Sequence, residues 1–388
     1  MKRAGRLIPL IIDADNMRLA FIKAVRGKRD KTSVIDFERN LDGNLARIAE
    51  GLRAATRNWG PYFHFTIHDP KEREIKVAPL EDRIAHHAMM NVCEPVFERY
   101  QIFDSYASRK GKGQFAALDR AMVYCRQNTW YLKLDIRKYF DSISHVVLKK
   151  QLFQRFKDIF VLENFNRLVD SYESVPLHGV PIGSLTSQFF ANHYLSAMDH
   201  FIKEDLKTRC YVRYMDDFIL WDDDVDSLKR KFYMVERFLS EELCLSLKPR
   251  CLNRCSHGLT FLGFRLFPDI MVLSHRSRYR FRRKIRTMTE HYETGMWDEP
   301  TYARHLETLF AFVRHAKSKD FRYRVMQEVG IDPQEFEPGE SWRELEQQRQ
   351  ELSFGVSELQ RPVESEQQHR SPTCPSFAVF GEVFAKQD

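Results

Sequence analysis

Apolar residues recur three or four positions apart early in the chain. Leu45, Ile48, Ala49 and Leu52 fall on one face, so residues 1–60 read as helical. From Tyr62 to Ile67 the period shortens to two, as in a strand. Asp69-Pro70-Lys71-Glu72-Arg73 then turns and Glu74 to Val77 runs extended again, which predicts a hairpin with basic residues near its tip. Helical spacing returns from Arg83 to Tyr100, with Pro95 marking its end. Trp130-Tyr131-Leu132-Lys133-Leu134-Asp135 is an apolar strand that ends in an acid, and a long helical region follows to about Tyr172. A loop punctuated by Gly and Pro over 176–183 leads into a helix from Leu185 to Asp205. Tyr211 to Trp221 reads as a hairpin with an acidic tip, and Ser227 to Leu243 as a helix. Leu259 to Phe267 is a strand pair or turn, and Arg276 to Glu328 is mostly helical. Beyond Gly330, Glu, Gln, Ser and Pro take over, so a weakly ordered tail is expected over 331–388.

Composition narrows the class. With 43% hydrophobic and 30% charged residues the body of the chain is not a disordered polymer. No apolar stretch approaches the roughly 20 residues needed to cross a bilayer. Leu7 to Ile12 superficially resembles a signal peptide, but Asp13 and Asp15 follow at once, so it reads as the start of a packed helix in a cytoplasmic protein. Seven cysteines do not suggest a disulfide scaffold. Cys244, Cys251, Cys255 and His257 cluster without a close Cys-x-x-Cys pair, and read as buried reduced thiols rather than a zinc site. Residues 331–388 hold twelve acids and five bases, a net of −7, so the first 330 residues carry +14 of the overall +7. A basic body points to a polyanionic partner, with nucleic acid the first candidate.

The chemistry-bearing segment is Arg213-Tyr214-Met215-Asp216-Asp217-Phe218-Ile219-Leu220, where two adjacent acids interrupt an apolar β pattern. Partly burying two like charges is costly unless a cation or hydrogen bonds compensate. An exposed hairpin turn would explain the pair alone. Asp135, 81 residues earlier at the end of its own strand, changes that. Two strands delivering carboxylates to one end of a sheet make a site for hard divalent ions, as two-metal phosphoryl transfer requires.

Tyr214-Met215-Asp216-Asp217 resembles the Tyr-x-Asp-Asp box of reverse transcriptases, and Asp135 their first catalytic aspartate. The resemblance runs in order over about 60–270. It implies an α+β right-hand polymerase with an antiparallel-sheet palm. The implied divisions are an N-terminal helical extension at 1–60, fingers at 61–134 and 142–176, palm at 135–141 and 177–271, and a basic helical thumb at 272–330. It implies two Mg2+ ions, replaceable by Mn2+, on Asp135, Asp216, Asp217 and the backbone of Ile136. For the incoming nucleotide it points to Lys71 and Arg73, to Phe140 as a steric gate against the ribose 2′-hydroxyl, and to Ile182, Gly183 and Gln188. Cys251 stands where the family often has a lysine after Leu-x-Leu-x-Pro, which leaves Lys248 or Arg250 as alternatives for a proton donor to pyrophosphate. Arg109 and Lys112 lie in a segment like the second fingers motif, and Phe261-Leu262-Gly263-Phe264 is similar to the primer grip.

Val180-Pro181-Ile182-Gly183-Ser184-Leu185-Thr186-Ser187-Gln188 is the most discriminating segment. Most bacterial relatives, group II intron enzymes included, carry Gln-Gly followed by Ser-Pro. The Ile-Gly-x-x-x-Ser-Gln pattern here resembles reverse transcriptases of diversity-generating retroelements, which copy a template-repeat RNA and misincorporate opposite adenine. Trading an amide for an aliphatic side chain beside the nascent pair removes hydrogen bonds that position it. Simple packing of Ile182 is the alternative. The expected partners are template RNA, an RNA–DNA duplex, deoxynucleotides and a small basic helical accessory protein, in a bacterial or phage-encoded system without a membrane. Arg278, Arg282, Arg283 and Arg286 crowd a segment that holds thirteen bases and seven acids over 271–330, suited to duplex phosphates. Competing readings are a related reverse transcriptase in phage defence or a retron, an RNA-binding maturase-like module, and a nucleotide cyclase on a similar palm.

Overall fold

In the computed structural model, residues 2–67 and 72–332 are described. The chain divides into two compact units, with the boundary between Met271 and Val272.

The first unit is organised by β3 (Trp130–Asp135), whose side chains alternate between two covered faces. It lies between β5 (Asp217–Asp222) and β6 (Cys251–Arg254), and β4 (Tyr211–Tyr214) completes an antiparallel sheet of order β4-β5-β3-β6. Leu132, Leu134, Phe218 and Leu220 face one core cluster, which includes Leu228, Phe232, Val235 and Leu239 of helix α12 (Val225–Leu243). That i, i+3, i+4 spacing is why 225–243 forms a helix on the sheet, and Asp224 caps it by accepting from the Asp226 N–H. On the other face Trp221 packs against Tyr124 of α6 (Gln114–Gln127), with ring centroids 5.3 Å apart.

The N-terminal helices α1 (Ile8–Ile11), α2 (Ala14–Ala24), α3 (Thr32–Glu38) and α4 (Leu41–Ala54) bury Ile11, Ala20, Val34, Ile48 and Leu52. They share their core with α5 (Leu80–Glu98). The hairpin expected after them is β1 (Phe63–Ile67) with β2 (Arg73–Val77), antiparallel, Phe63 opposite Val77. Lys71, in its turn, lies outside the described residues, as does most of the expected tail (333–388).

Two long helices expected from periodicity are broken. The region to Tyr172 contains α7 (Tyr139–Ser142), α8 (His145–Arg155) and α9 (Ile159–Asp170). Asp158 separates the last two: one oxygen caps α9 through the Val161 N–H, and the other accepts from the N–H groups of Leu7 and Ile8. The 185–205 stretch is α10 (Leu185–Tyr194), α11 (Ser196–His200) and a π-helical turn over Phe201–Asp205. The cysteine expectation needs correction too: Cys255 is buried, but Cys244 and Cys251 are exposed.

The second unit contains α13 (His275–Glu293), α14 (Glu299–Val313) and α15 (Lys319–Glu328). Phe281 of α13 is its centre, 5.5 Å from the Phe310 ring and 5.7 Å from that of Phe321.

Candidate active site

The β-register brings the acids together. Asp135 is paired directly with Asp217 across β3 and β5. Asp216 sits in the two-residue turn between β4 and β5, and its carbonyl accepts the Ile136 N–H at 3.3 Å. Met215, the other turn residue, has φ +56°, which non-glycine residues seldom adopt. The strand continues past Asp135 by pairing with 246–248: the Arg137 N–H reaches the Ser246 carbonyl and the Lys248 N–H the Asp135 carbonyl, both at 2.8 Å.

Burial pushes the Asp217 carboxyl up to about 6, Lys133 opposes the shift, and Asp135 and Asp216 add to it. Asp216 is also raised, first by burial and then by Asp135, with Lys248 and Arg73 pulling the other way. Lysines answer part of this charge. Lys248 Nζ lies 2.6 Å from Asp135 Oδ1, and Lys133 Nζ lies 2.9 Å from Asp217 Oδ2. Among the described residues Asp217 Oδ1 is buried without a hydrogen-bond partner. Among the described residues no three His, Cys, Asp or Glu are already grouped as a metal cage. The donor set nevertheless suits a hard cation: all ligands are oxygen, the acids repel one another, and a buried carboxylate oxygen is unsatisfied.

Lys133 was not singled out by the sequence. It shares a strand face with Asp135, two residues on, and also donates to the Thr260 carbonyl at 2.9 Å. A lysine inside an apolar strand, at the same parity as the terminal acid, was the available signal. Of the two proton-donor alternatives, Lys248 is at the acids. Arg250 stacks instead on Phe232, 4.4 Å from its centroid.

Arg73, first in β2, acts electrostatically on Asp216. The Ile182 carbonyl accepts the Lys76 N–H of β2 at 2.8 Å. Gly183 follows with φ +108°, and a Cβ there would lie 2.8 Å from Ile75 Cγ2 and 3.2 Å from the Lys76 carbonyl oxygen. Ile182 and Gln188 are half-buried, and Gln188 accepts from the Ser108 hydroxyl at 3.3 Å. Phe140 lies in α7, its carbonyl accepting the Val180 N–H at 2.9 Å.

The basic candidates divide. Arg109 is only 7% exposed: it forms a two-pronged pair with Glu98 and donates to the Ile102 and Ser105 carbonyls. This guanidinium holds the 101–113 loop, with its charge turned to Glu98. Lys112 covers the Phe103 ring, 3.3 Å from its centroid. Leu262 and Gly263 form the two-residue turn between β7 (Leu259–Phe261) and β8 (Phe264–Leu266), with φ +46° and +89°. In the second unit α13 buries Ser277, Phe281, Ile285 and Thr289. Arg282 and Arg286 pair with Glu328 of α15, and Arg278 lies 5.8 Å from the Phe321 ring. Arg283 and Tyr279 are exposed on the opposite face.

An antiparallel sheet carrying three acids at one end, with a hairpin fastened beside it, is the construction of a polymerase palm. The family described as "Reverse transcriptase (RNA-dependent DNA polymerase)" matches residues 68–266, half of the chain, and the chain belongs to that family. It is 26% identical over 172 residues to an uncharacterised 91 kDa protein in a cob intron of Schizosaccharomyces pombe, covering 42% of this chain and 21% of that protein. It is 24% identical over 266 residues to YkfC of Escherichia coli, covering 57% of this chain and 68% of YkfC. Among solved structures, telomerase from Candida albicans aligns with a TM-score of 0.41 and 13% identity, over 72% of this chain and 58% of that one. The chain thus spans about a fifth of the fission-yeast relative's length. Among the described residues no helix is long and apolar enough to cross a membrane.

Proposed function

We propose that the protein is an RNA-directed DNA polymerase that extends a primer 3′-hydroxyl with deoxynucleotides and releases pyrophosphate. The observation that carries this is the register pairing of Asp135 with Asp217, with Asp216 in the adjoining turn. In this reading 61–129 and 142–176 act as fingers and 272–330 as thumb, while 135–141 and 177–271 form the palm together with β3, which the sheet pairing moves out of the 61–134 segment expected to be fingers. Asp135, Asp216, Asp217 and the Ile136 carbonyl would hold two Mg2+ ions, or Mn2+ in their place. When bound, such ions supply activation of the 3′-hydroxyl and neutralisation of the leaving pyrophosphate. The chain's own residues do the rest. Arg73 meets the triphosphate, the Ile182–Gly183 backbone seats the nucleotide against β2, and Phe140 excludes a ribose 2′-hydroxyl. Lys248, already hydrogen-bonded at Asp135, is the proton donor to pyrophosphate. Leu262 and Gly263 hold the primer, while Arg283 and its helix follow duplex phosphates. Primer extension on an RNA template tests this: Asp216→Asn should abolish extension while leaving template binding intact. Retained extension would refute the reading.

The finer reading is adenine-directed cDNA synthesis from a template-repeat RNA in a diversity-generating retroelement, with a small basic helical accessory protein. The Ile182–Gly183–Gln188 segment supports it, because Ile182 offers no side-chain amide beside the nucleotide. Sequencing the cDNA decides it. Excess errors at template adenines, reduced in Ile182→Gln, are expected, and a flat error spectrum would leave a phage-defence or retron enzyme. A maturase-like RNA-binding role is favoured by the fission-yeast relative's place in an intron, and the Asp216→Asn variant would leave such a role unharmed.

A further inference from the structure

Arg213 stands three residues before Asp216, and neither its side chain nor that of Asp199 has any solvent exposure. Its guanidinium grips Asp199 through Nε at 2.8 and 3.0 Å and Nη2 at 2.6 Å. Nη1 donates to Asn192 Oδ1 at 2.8 Å and to the Met215 carbonyl at 3.2 Å. Nη2 also donates to the Asn192 carbonyl at 3.2 Å and to Gln101 Oε1 at 3.3 Å. The Arg213 main chain is held as well: its N–H reaches the Asp104 carbonyl at 2.9 Å, and its carbonyl accepts the Tyr106 N–H at 3.0 Å. Tyr211 Oη adds a third donor to Asp199, at 2.7 Å.

One side chain therefore joins four segments: the 101–106 loop, α10 through Asn192, α11 through Asp199, and the turn bearing Asp216. A buried ion pair is a poor way to gain stability, because well-packed apolar residues often serve as well or better. What apolar residues cannot do is donate to the Met215 carbonyl. Met215 itself holds φ +56°, a conformation that a non-glycine residue keeps only when its surroundings impose it. We infer that Arg213 is a positioning residue for nucleotide transfer: its guanidinium imposes the strained Met215 turn, and so fixes where Asp216 stands relative to Asp135. This rests on the polymerase reading, since without nucleotide transfer there is nothing for the turn to position.

The test is single-nucleotide incorporation on an RNA template by the full chain, with thermal melting alongside. Two variants are compared with the parent. Arg213→Met/Asp199→Leu removes both charges together and so leaves no unpaired ion in the core. Arg213→Lys keeps the charge opposite Asp199 but lacks the planar fork that reaches Asn192 and Met215 at once. For a variant that melts like the parent, the incorporation rate should fall about 10- to 100-fold, the cost of a small misplacement of a reacting group. The apparent affinities for deoxynucleotide and for template–primer should stay within about twofold, a split that general loosening of the core would not produce. A folded variant of either kind that incorporates at the parental rate overturns the inference. So does a defect confined to substrate affinity. If the parent chain itself fails to extend a primer, the polymerase reading falls instead, so the two failures are distinguishable.

Discussion

Replacing Gly183 with alanine should damage the protein far more than one methyl group suggests. At φ +108° an alanine lies outside even the left-handed helical region, which costs about 1–3 kcal/mol when surroundings hold the backbone there. The new Cβ would lie 2.8 Å from Ile75 Cγ2 and 3.2 Å from the Lys76 carbonyl oxygen. Neither neighbour yields easily: Cγ2 belongs to a β-branched side chain stiff at χ1, and the oxygen is main chain within β2. Overpacking of this kind costs roughly 1–3 kcal/mol. If the loop stays in place the sum is about 2–6 kcal/mol, a melting-point drop of roughly 4–12 °C at about 2 °C per kcal/mol for a chain of this size. If the loop moves away, it breaks the 2.8 Å bond from the Lys76 N–H to the Ile182 carbonyl, worth about 0.5–1.5 kcal/mol. Stability then falls less, but the nucleotide seat shifts and the KM for deoxynucleotides rises. Melting and single-nucleotide kinetics together cover both routes. Adding Ile75→Ala separates the terms: the contact with Cγ2 disappears while the backbone strain and the tight approach to the Lys76 carbonyl remain, so the double variant should lose less than the two single losses added together. A Gly183→Ala protein that melts within about 1 °C of the parent, with unchanged KM, would refute the reasoning.

Other consequences can be checked independently. On α13, Arg283→Ala should weaken template–primer binding and flatten its salt slope by about one unit, as loss of one phosphate contact does. Arg282→Ala should do less, because Glu328 already engages that guanidinium, and anisotropy titrations across a salt series that rank the two in the reverse order would count against the assignment. Phe140→Ala should raise ribonucleotide incorporation relative to deoxynucleotide by about tenfold or more, read from single-turnover assays with both substrates. Burial holds His86 and His193 down at about 3 and His87 at about 4, against an ordinary 6.5. The unfolded chain therefore takes up protons below pH 6.5 that the folded one refuses. Stability is complete above that pH and declines in acid, by about 1.4 kcal/mol per pH unit for each histidine. Denaturation curves at pH 7 and 5 should show the decline, and His193→Gln should remove one of its three contributions. An identical pH slope in that variant would dispose of the explanation.

What could be read from the chain, and what could not, follows from how far each signal reaches. β3, β5 and α12 were legible because their periodicity is local and their apolar runs are covered on the faces that the alternation implies. The breaks at Phe156–Asp158 and at Leu195 were not legible, because apolar residues keep helical spacing across them, as in Leu148, Leu152, Phe156 and Ile159. Asp158 starts the next helix by accepting from the Val161 N–H, and its other oxygen is held by the N–H groups of Leu7 and Ile8, some 150 positions away. The acids stand out by type and order, but their union depends on the register that sets Asp135 opposite Asp217, which no spacing encodes. Arg109 shows how a local signal can be answered from nearby. It carries the right charge in the right segment, yet Glu98, eleven residues back, consumes that charge.

Lys133 and Arg213 argue the more general point. Each is a cation set inside a strand whose neighbours are apolar, and each is tolerated there because an acid pairs with it, Asp217 for Lys133 and Asp199 for Arg213. By local reasoning they are blemishes in otherwise good strands. In the folded chain both hold the β4–β5 hairpin: Lys133 ties Asp217 to the carbonyl of Thr260, and Arg213 ties the Met215 carbonyl to Asp199. A core built only for stability would have spent both positions on aliphatic residues. That two costly charges persist on the two strands that deliver the acids is best explained by geometry, because three repelling carboxylates stay at one sheet end only if something stiffer than packing holds their backbone there.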